Sequence, residues 1–282
     1  MICTGKKTAA CIAAGFLALT ALLPAQTFSD TLASAQVFQL DVKKDAIIWG
    51  AELTGEVYHN LYDHFALADD DDWDGKSFDK DSINPLDRAL MHSYSKKLDT
   101  AGDAMVATTI ALPFLTGAAF LWQDPRYGGI DLLTDTVMFA EALAISHTLA
   151  HITKGLVLRT RPYNYYAGDE ATEDDWNRSF YSGHTTMAFA AATFTSYTFC
   201  NYFPESSWKI PLVAASYGLA CTTGIVRVEA GCHFATDVLV GAMTGAAIGF
   251  LVPWCHKVSA AVSSDRLQVS LAPTGAAVTL RL

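Results

Sequence analysis

Charge is scarce in this chain of 282 residues, where only 17% are Asp, Glu, Lys or Arg. The balance is acidic, with 29 Asp and Glu against 19 Lys and Arg and a formal net charge of -10. Nucleic-acid binding calls for a basic surface, so that function class is excluded. The six cysteines show neither a disulfide framework nor zinc spacing and read as small apolar residues. Cys3 and Cys11 also lack a lipoprotein context. The acidic run Asp69-Asp70-Asp71-Asp72-Trp73-Asp74 lacks the spaced ligands of a calcium loop and reads as a solvated loop. His147 and His151 share one helix face but have no third ligand at metal-site spacing, so they read as a hydrogen-bonded interior pair. No cofactor and no metal site follows from any of these features.

Apolar residues, by contrast, make up 51% of the chain, and that composition leans towards a membrane protein. Lys6 and Lys7 precede an apolar stretch at 9–23 followed by small and polar residues, which reads as a secretory leader. Ala33-Ser34-Ala35 fits a cleavage site, as does Ala25; uncut, residues 1–35 form a short N-terminal anchor. Residues 36–103 differ in texture, with an amphipathic helix expected over 46–65 and a turn at Asn84-Pro85, and read as an extracytoplasmic helical cap without chemistry of its own. Uncharged runs then recur at 104–122, 184–203, 210–226 and 238–255, near bilayer-spanning length. A further helix at 131–158 completes the core at 104–258. Beyond it, the alternation at 267–282 predicts a β-hairpin in the tail at 259–282.

Three clusters place cations and imidazoles at the edges of these apolar runs. The first runs from Lys154 to Pro162 and includes Arg161; the second holds Ser182-Gly183-His184; the third holds Arg227, His233 and Asp237. Any one of these residues alone reads as a helix cap or a snorkelling side chain. Together they are a set for gripping and attacking a phosphate. Arg161 and Arg227 present planar forks that match phosphate geometry, and Lys154 adds a point charge. Ser182 and Gly183 precede a helical run, so their N–H groups can face an anion. Asp237 lies one turn after His233, where it can fix the tautomer and leave the other nitrogen to attack phosphorus. His184 remains to protonate the leaving oxygen and then activate water. If the runs span, all three clusters fall on one face, which with Lys6 and Lys7 in the cytoplasm is the periplasmic one; Arg126, Lys209 and Lys257 lie on the other.

The pattern K-x6-RP, then SGH, then R-x5-H-x3-D resembles the three-part signature of the type 2 phosphatidic acid phosphatase superfamily, PAP2, over roughly 130–255. That superfamily includes bacterial class A acid phosphatases and vanadium haloperoxidases. The resemblance implies an all-α helical bundle, phosphate binding by Lys154, Arg161, Ser182, Gly183 and Arg227, acid/base catalysis by His184, and a nucleophilic His233 oriented by Asp237. Two positions depart from the family pattern: Tyr181 stands where proline is common, and Val226 where serine is common. The expected activity is metal-independent hydrolysis of lipid phosphomonoesters or pyrophosphates at the inner membrane, facing the periplasm, with the bilayer and a lipid phosphate as partners. A soluble periplasmic acid phosphatase, a vanadium haloperoxidase and a non-catalytic binder of anionic lipid are the alternatives. The aromatic loop with Tyr163, Tyr165 and Tyr166 suits either a pocket cover or an interfacial anchor.

Overall fold

A computed structural model describes residues 37–66, 78–124, 127–166, 175–258, 261–263, 267–272 and 275–280. The leader, the acidic run at 69–74, Arg126 and most of the acidic loop before Asp175 lie outside the described residues. The helices are α1 (Val42–Ala66), α2 (Pro85–Leu90), α3 (Lys96–Gln123), α4 (Gly129–Val157), α5 (Gly183–Tyr202), α6 (Lys209–Glu229) and α7 (Ala235–His256), with short 3-10 turns at Lys80–Ser82 and Pro162–Tyr165. An antiparallel sheet follows, β1 (Ala261–Ser263), β2 (Leu267–Ala272) and β3 (Gly275–Leu280). Strands β2 and β3 pair with Val269 opposite Val278, as the alternation predicts, and β1 adds a third strand with Val262 opposite Val269.

Helix α5 is the hub, touching α3, α4, α6 and α7. Its alanines at 188, 190, 191 and 192 are fully buried. Its hydroxyls are absorbed by its own backbone: Thr195 donates to Ala191 O, Ser196 to Ala192 O and Thr198 to Phe194 O, at 2.7–2.9 Å. A helix so rich in Thr and Ser can therefore pass through an apolar interior with no donor left over.

The tightest packing is between α5 and α7. Gly241, Gly245 and Gly249 recur every four residues along one stripe of α7, and that stripe lies on the α5 backbone. A Cβ on Gly245 would fall 2.1 Å from Thr186 O, and one on Gly249 2.3 Å from Ala190 O. Small residues at this spacing let helix backbones touch, which is how helices associate where hydrophobic burial supplies no drive. The apolar core beside this seam joins Phe38, Met138, Phe139, Phe194, Ile248 and Val252.

Helices α3, α6 and α7 are long and apolar enough to cross a bilayer by length and composition. They turn Leu115, Trp122, Ile210, Ile225, Leu239 and Met243 outwards, each 55–90% exposed. Large exposed apolar side chains along whole helices are the mark of a lipid-facing surface, and the protein is accordingly a membrane protein.

Helix α1, read from sequence as part of an extracytoplasmic segment, lies lengthwise against α4. Its Gly55 faces Thr148, Glu56 approaches His147 at 3.9 Å, and Asp63 pairs at 2.6 Å with Arg178 of the loop before α5. The rings of His147 and His151 pack 4.2 Å apart, with His59 of α1 5.0 Å from His151.

Candidate active site

Each motif begins or ends a helix at the same end of the bundle, and backbone hydrogen bonds stitch the connections together. Helix α4 stops at Leu158, whose left-handed conformation turns the chain after Lys154. Residues 159–161 then pair with 176–179: Arg161 N donates to Trp176 O at 2.8 Å and Ser179 N to Arg159 O at 2.9 Å. Tyr163 N reaches Gly231 O at 3.1 Å, joining the first motif to the third, and Ser182 N reaches Asp237 O at 3.2 Å, joining the second to the third. Gly231, at φ +72°, makes the turn out of α6, and a Cβ there would strike His92 O and Ser93 O at 2.6 Å.

The phosphate-binding candidates come together here. Lys154, in the last turn of α4, has its ammonium 3.9 Å from where a Gly183 Cβ would stand. Arg161 is 7% exposed, gives NH1 to Cys232 O at 3.2 Å, and grips Asp175 through NH2 to Oδ2 at 2.7 Å and Nε to O at 2.8 Å. Arg227 is 4% exposed and pairs with Asp99 Oδ1 at 2.5 Å, while its buried Nε has no partner among the described residues. Gly102 makes room for that guanidinium, because a Cβ there would lie 3.0 Å from Arg227 NH1.

His233 is 1% exposed, and its Nδ1 lies 2.7 Å from Ser179 O. A carbonyl only accepts, so Nδ1 carries the proton and the lone pair of the neutral ring is on Nε2. Burial pushes the imidazole down to about 3; Arg161 and Arg227 add to this, and Asp237 opposes it only in part. Asp237 Oδ2 is 3.8 Å from Nδ1, beyond hydrogen-bond length. Its carboxylate is held by Ser179 Oγ at 2.5 Å, Phe234 N at 2.9 Å and, very closely, the Arg159 guanidinium. Asp237 thus fastens Ser179, whose carbonyl in turn holds the ring.

Arg159 also spans to Asp87 at 2.7 Å, and Asp87, fully buried, accepts from Thr236 N at 2.9 Å and Thr236 Oγ1 at 2.6 Å. A short helix of the supposed cap therefore anchors the N-terminus of α7. His184 Nε2 sits 2.7 Å from Asp103 Oδ1 of α3. Ser182 caps α5 with its Oγ towards Thr185 N, and because its own N–H is taken up by Asp237 O, the N–H groups that helix geometry leaves without an intrahelical acceptor are those of Gly183 and His184.

Sequence reasoning missed Asp87, Asp99, Asp103, Arg159, Asp175 and Ser179. Asp99 and Asp103 had a signal: two carboxylates one turn apart at the mouth of an uncharged run. Arg159 lies inside the first motif but outside its recurring positions, and Ser179 acts through its backbone, which no side-chain pattern reveals.

Residues 135–260 match the family model of the PAP2 superfamily. That match covers less than half of the chain, and this core is similar to the PAP2 superfamily. The matched stretch holds all the motif residues described above. The chain is also similar to a lipid A 1-phosphatase of Porphyromonas gingivalis, 41% identical over 76 residues, which is 27% of this chain and 16% of that relative's length. Among solved structures it is similar to a transmembrane PAP2-type phosphatidylglycerolphosphate phosphatase from Bacillus subtilis, at 21% identity over 74% of this chain and 94% of that one with a TM-score of 0.44. Aquifex aeolicus LpxE is similar at 23% identity over 59% of this chain and 92% of that one, with a TM-score of 0.40.

Proposed function

We propose that this PAP2 protein hydrolyses lipid phosphate esters through a phosphohistidine on His233. The observation that carries the reading is the ring held with Nδ1–H on Ser179 O, kept neutral by burial beside Arg161 and Arg227. Nε2 of His233 attacks phosphorus as the bond to the leaving oxygen breaks, and His184 gives that oxygen its proton. His184 then takes a proton from water, which attacks the same phosphorus, breaks the N–P bond and releases phosphate.

Lys154, Arg161, Arg227 and the N–H groups of Gly183 and His184 neutralise charge on the phosphoryl oxygens throughout. Asp99, Asp103 and Asp175 hold places that substrate oxygens take. Buried cations without a counter-charge are costly, so carboxylates partner them until phosphate arrives.

A lipid substrate is supported by the site's place at the end of bilayer-length helices, where a headgroup reaches the cations while its tails stay in hydrocarbon. The local likeness to a lipid A 1-phosphatase supports the same class. Lys209 and Lys257 at the opposite end of α6 and α7 favour a periplasmic site under the positive-inside tendency.

The test is phosphate release from paired long-chain lipid phosphates and soluble monoesters, with chelator, with vanadate, and with peroxide and halide. Faster turnover of the lipid ester, insensitivity to chelator and inhibition by vanadate are expected. Preference for the soluble ester removes the lipid assignment, halide oxidation favours a haloperoxidase, and no turnover leaves an anionic-lipid binder.

A further inference from the structure

Away from the motifs, helices α1, α4 and α7 bring Asp45, Glu141 and His256 together, with one ligand-type atom from each within 4.8 Å of the others. Glu141 is fully buried, and neither of its carboxylate oxygens has a hydrogen-bond partner among the described residues. His256 is 3% exposed, with Nδ1 2.9 Å from Val252 O. By the same logic as at His233, that carbonyl places the proton on Nδ1 and the lone pair on Nε2. The lone pair faces Asp45 Oδ1 at 2.8 Å and Glu141 Oε2 at 3.6 Å.

Three acceptors thus converge, two of them formally anionic, in the interior of a bundle. A proton on His256 Nε2 satisfies Asp45 but leaves Glu141 buried, charged and without a hydrogen bond, an arrangement that burial strongly disfavours. A divalent cation balances both carboxylates and uses the imidazole lone pair, and a backbone carbonyl on the far ring nitrogen is the support that metal-bound histidines employ. A cleft of about 220 Å³ bordered by Gln39, Asp41, Lys44 and His256 lies beside the cluster. Lys44 shares that cleft, with its ammonium 3.4 Å from Cys255 O.

We propose that Asp45, Glu141 and His256 form a structural site for a divalent ion of the zinc or manganese class, fastening α1 to α4 and α7. Its mixed oxygen and imidazole ligands suit those ions better than thiolate-seeking ones. Glu141 lies roughly 20 Å along α4 from Lys154 at about 1.5 Å per residue, so the ion takes no part in the phosphoryl chemistry.

The test uses the full chain in detergent, stripped with chelator and re-equilibrated with Zn²⁺ or Mn²⁺ alone. The wild type is expected to retain about one equivalent after desalting and to gain roughly 5 °C or more in Tm. Glu141→Gln and His256→Asn are expected to lose both effects, with Asp45→Asn taking the place of either variant that fails to fold. No retention and no Tm response in the wild type overturns the site in favour of a shared proton. Equal retention by the variants overturns the ligand assignment. Phosphate release that vanishes on stripping the wild type overturns the structural role without touching the identification of His233.

Discussion

The His233 ring is 2.7 Å from the carbonyl oxygen of Ser179 and 3.8 Å from the nearer oxygen of Asp237. A backbone group, not the expected carboxylate, makes the direct contact. The tautomer of this ring is therefore set by the loop before α5, and Asp237 acts one step further out by holding Ser179 Oγ and the α7 N-terminus. Replacing His233 with Ala is expected to abolish phosphate release by several powers of ten while the protein stays folded. Near-normal turnover in that variant excludes His233 as nucleophile.

The same residue makes a pH prediction. Its folded value of about 3 lies below the roughly 6.5 of an unfolded chain, so below that pH the unfolded state binds a proton the folded state refuses. His233 leaves stability unchanged above about pH 6.5 and drains it as pH falls from there towards 3, by up to about 1.4 kcal/mol per unit. In His233→Gln that slope should shrink by about one proton's worth, measured by denaturation at a series of pH values. An identical slope in variant and wild type contradicts the neutral buried ring.

Arg159 lies inside the first motif but outside its recurring positions; its guanidinium is shared between Asp87 and Asp237 and stacks 4.1 Å over the Phe234 ring. Arg159→Ala leaves two buried carboxylates short of a cation, which is expected to cost about 3–5 kcal/mol of stability. Activity should fall mainly through kcat, because the His233 support shifts while Arg161 and Arg227 remain. A stable variant with raised KM alone assigns Arg159 to substrate instead.

On the proposed reading, Asp175 competes with substrate for Arg161. Burial raises its carboxyl, but Arg161 foremost, then Lys154 and Arg178, hold it down at about 2, so it is ionised throughout the working range. Asp175→Asn removes a fixed anion from the phosphate site. Inorganic phosphate and vanadate are expected to inhibit this variant several-fold more tightly, read from their Ki values. Weaker inhibition shows that Asp175 positions Arg161 for the substrate.

Gly245 tests the seam that aligns the second motif with the third. A methyl there would enter the Thr186 carbonyl, so Gly245→Ala is expected to cost about 1–3 kcal/mol and to lower kcat by displacing His184 from His233. Gly218 of α6 faces open space, and Gly218→Ala serves as the control. Equal effects at the two positions refute the seam.

Much of this protein was legible in its sequence. Uncharged runs bounded by His184, Arg227 and Asp237 marked helices of bilayer length, because apolar runs ending in charge have few other stable forms. The order and spacing of the motif residues carried the superfamily, since local spacing fixes which side chains share a turn. The alternation at 267–282 likewise predicted paired strands. Partners across the bundle were hidden, because nothing local in the chain says that Asp99 meets Arg227, Asp103 meets His184 or Asp87 meets Arg159. Those contacts depend on how α2, α3, α5 and α6 come together in three dimensions, which no local pattern in the chain fixes. Sequence alone determined which chemical groups the site contains and at which helix ends they stand. Tertiary packing decided which carboxylate sits on which cation and that a carbonyl steadies the His233 ring, because burial and long-range approach determine how a buried charge or ring nitrogen is satisfied.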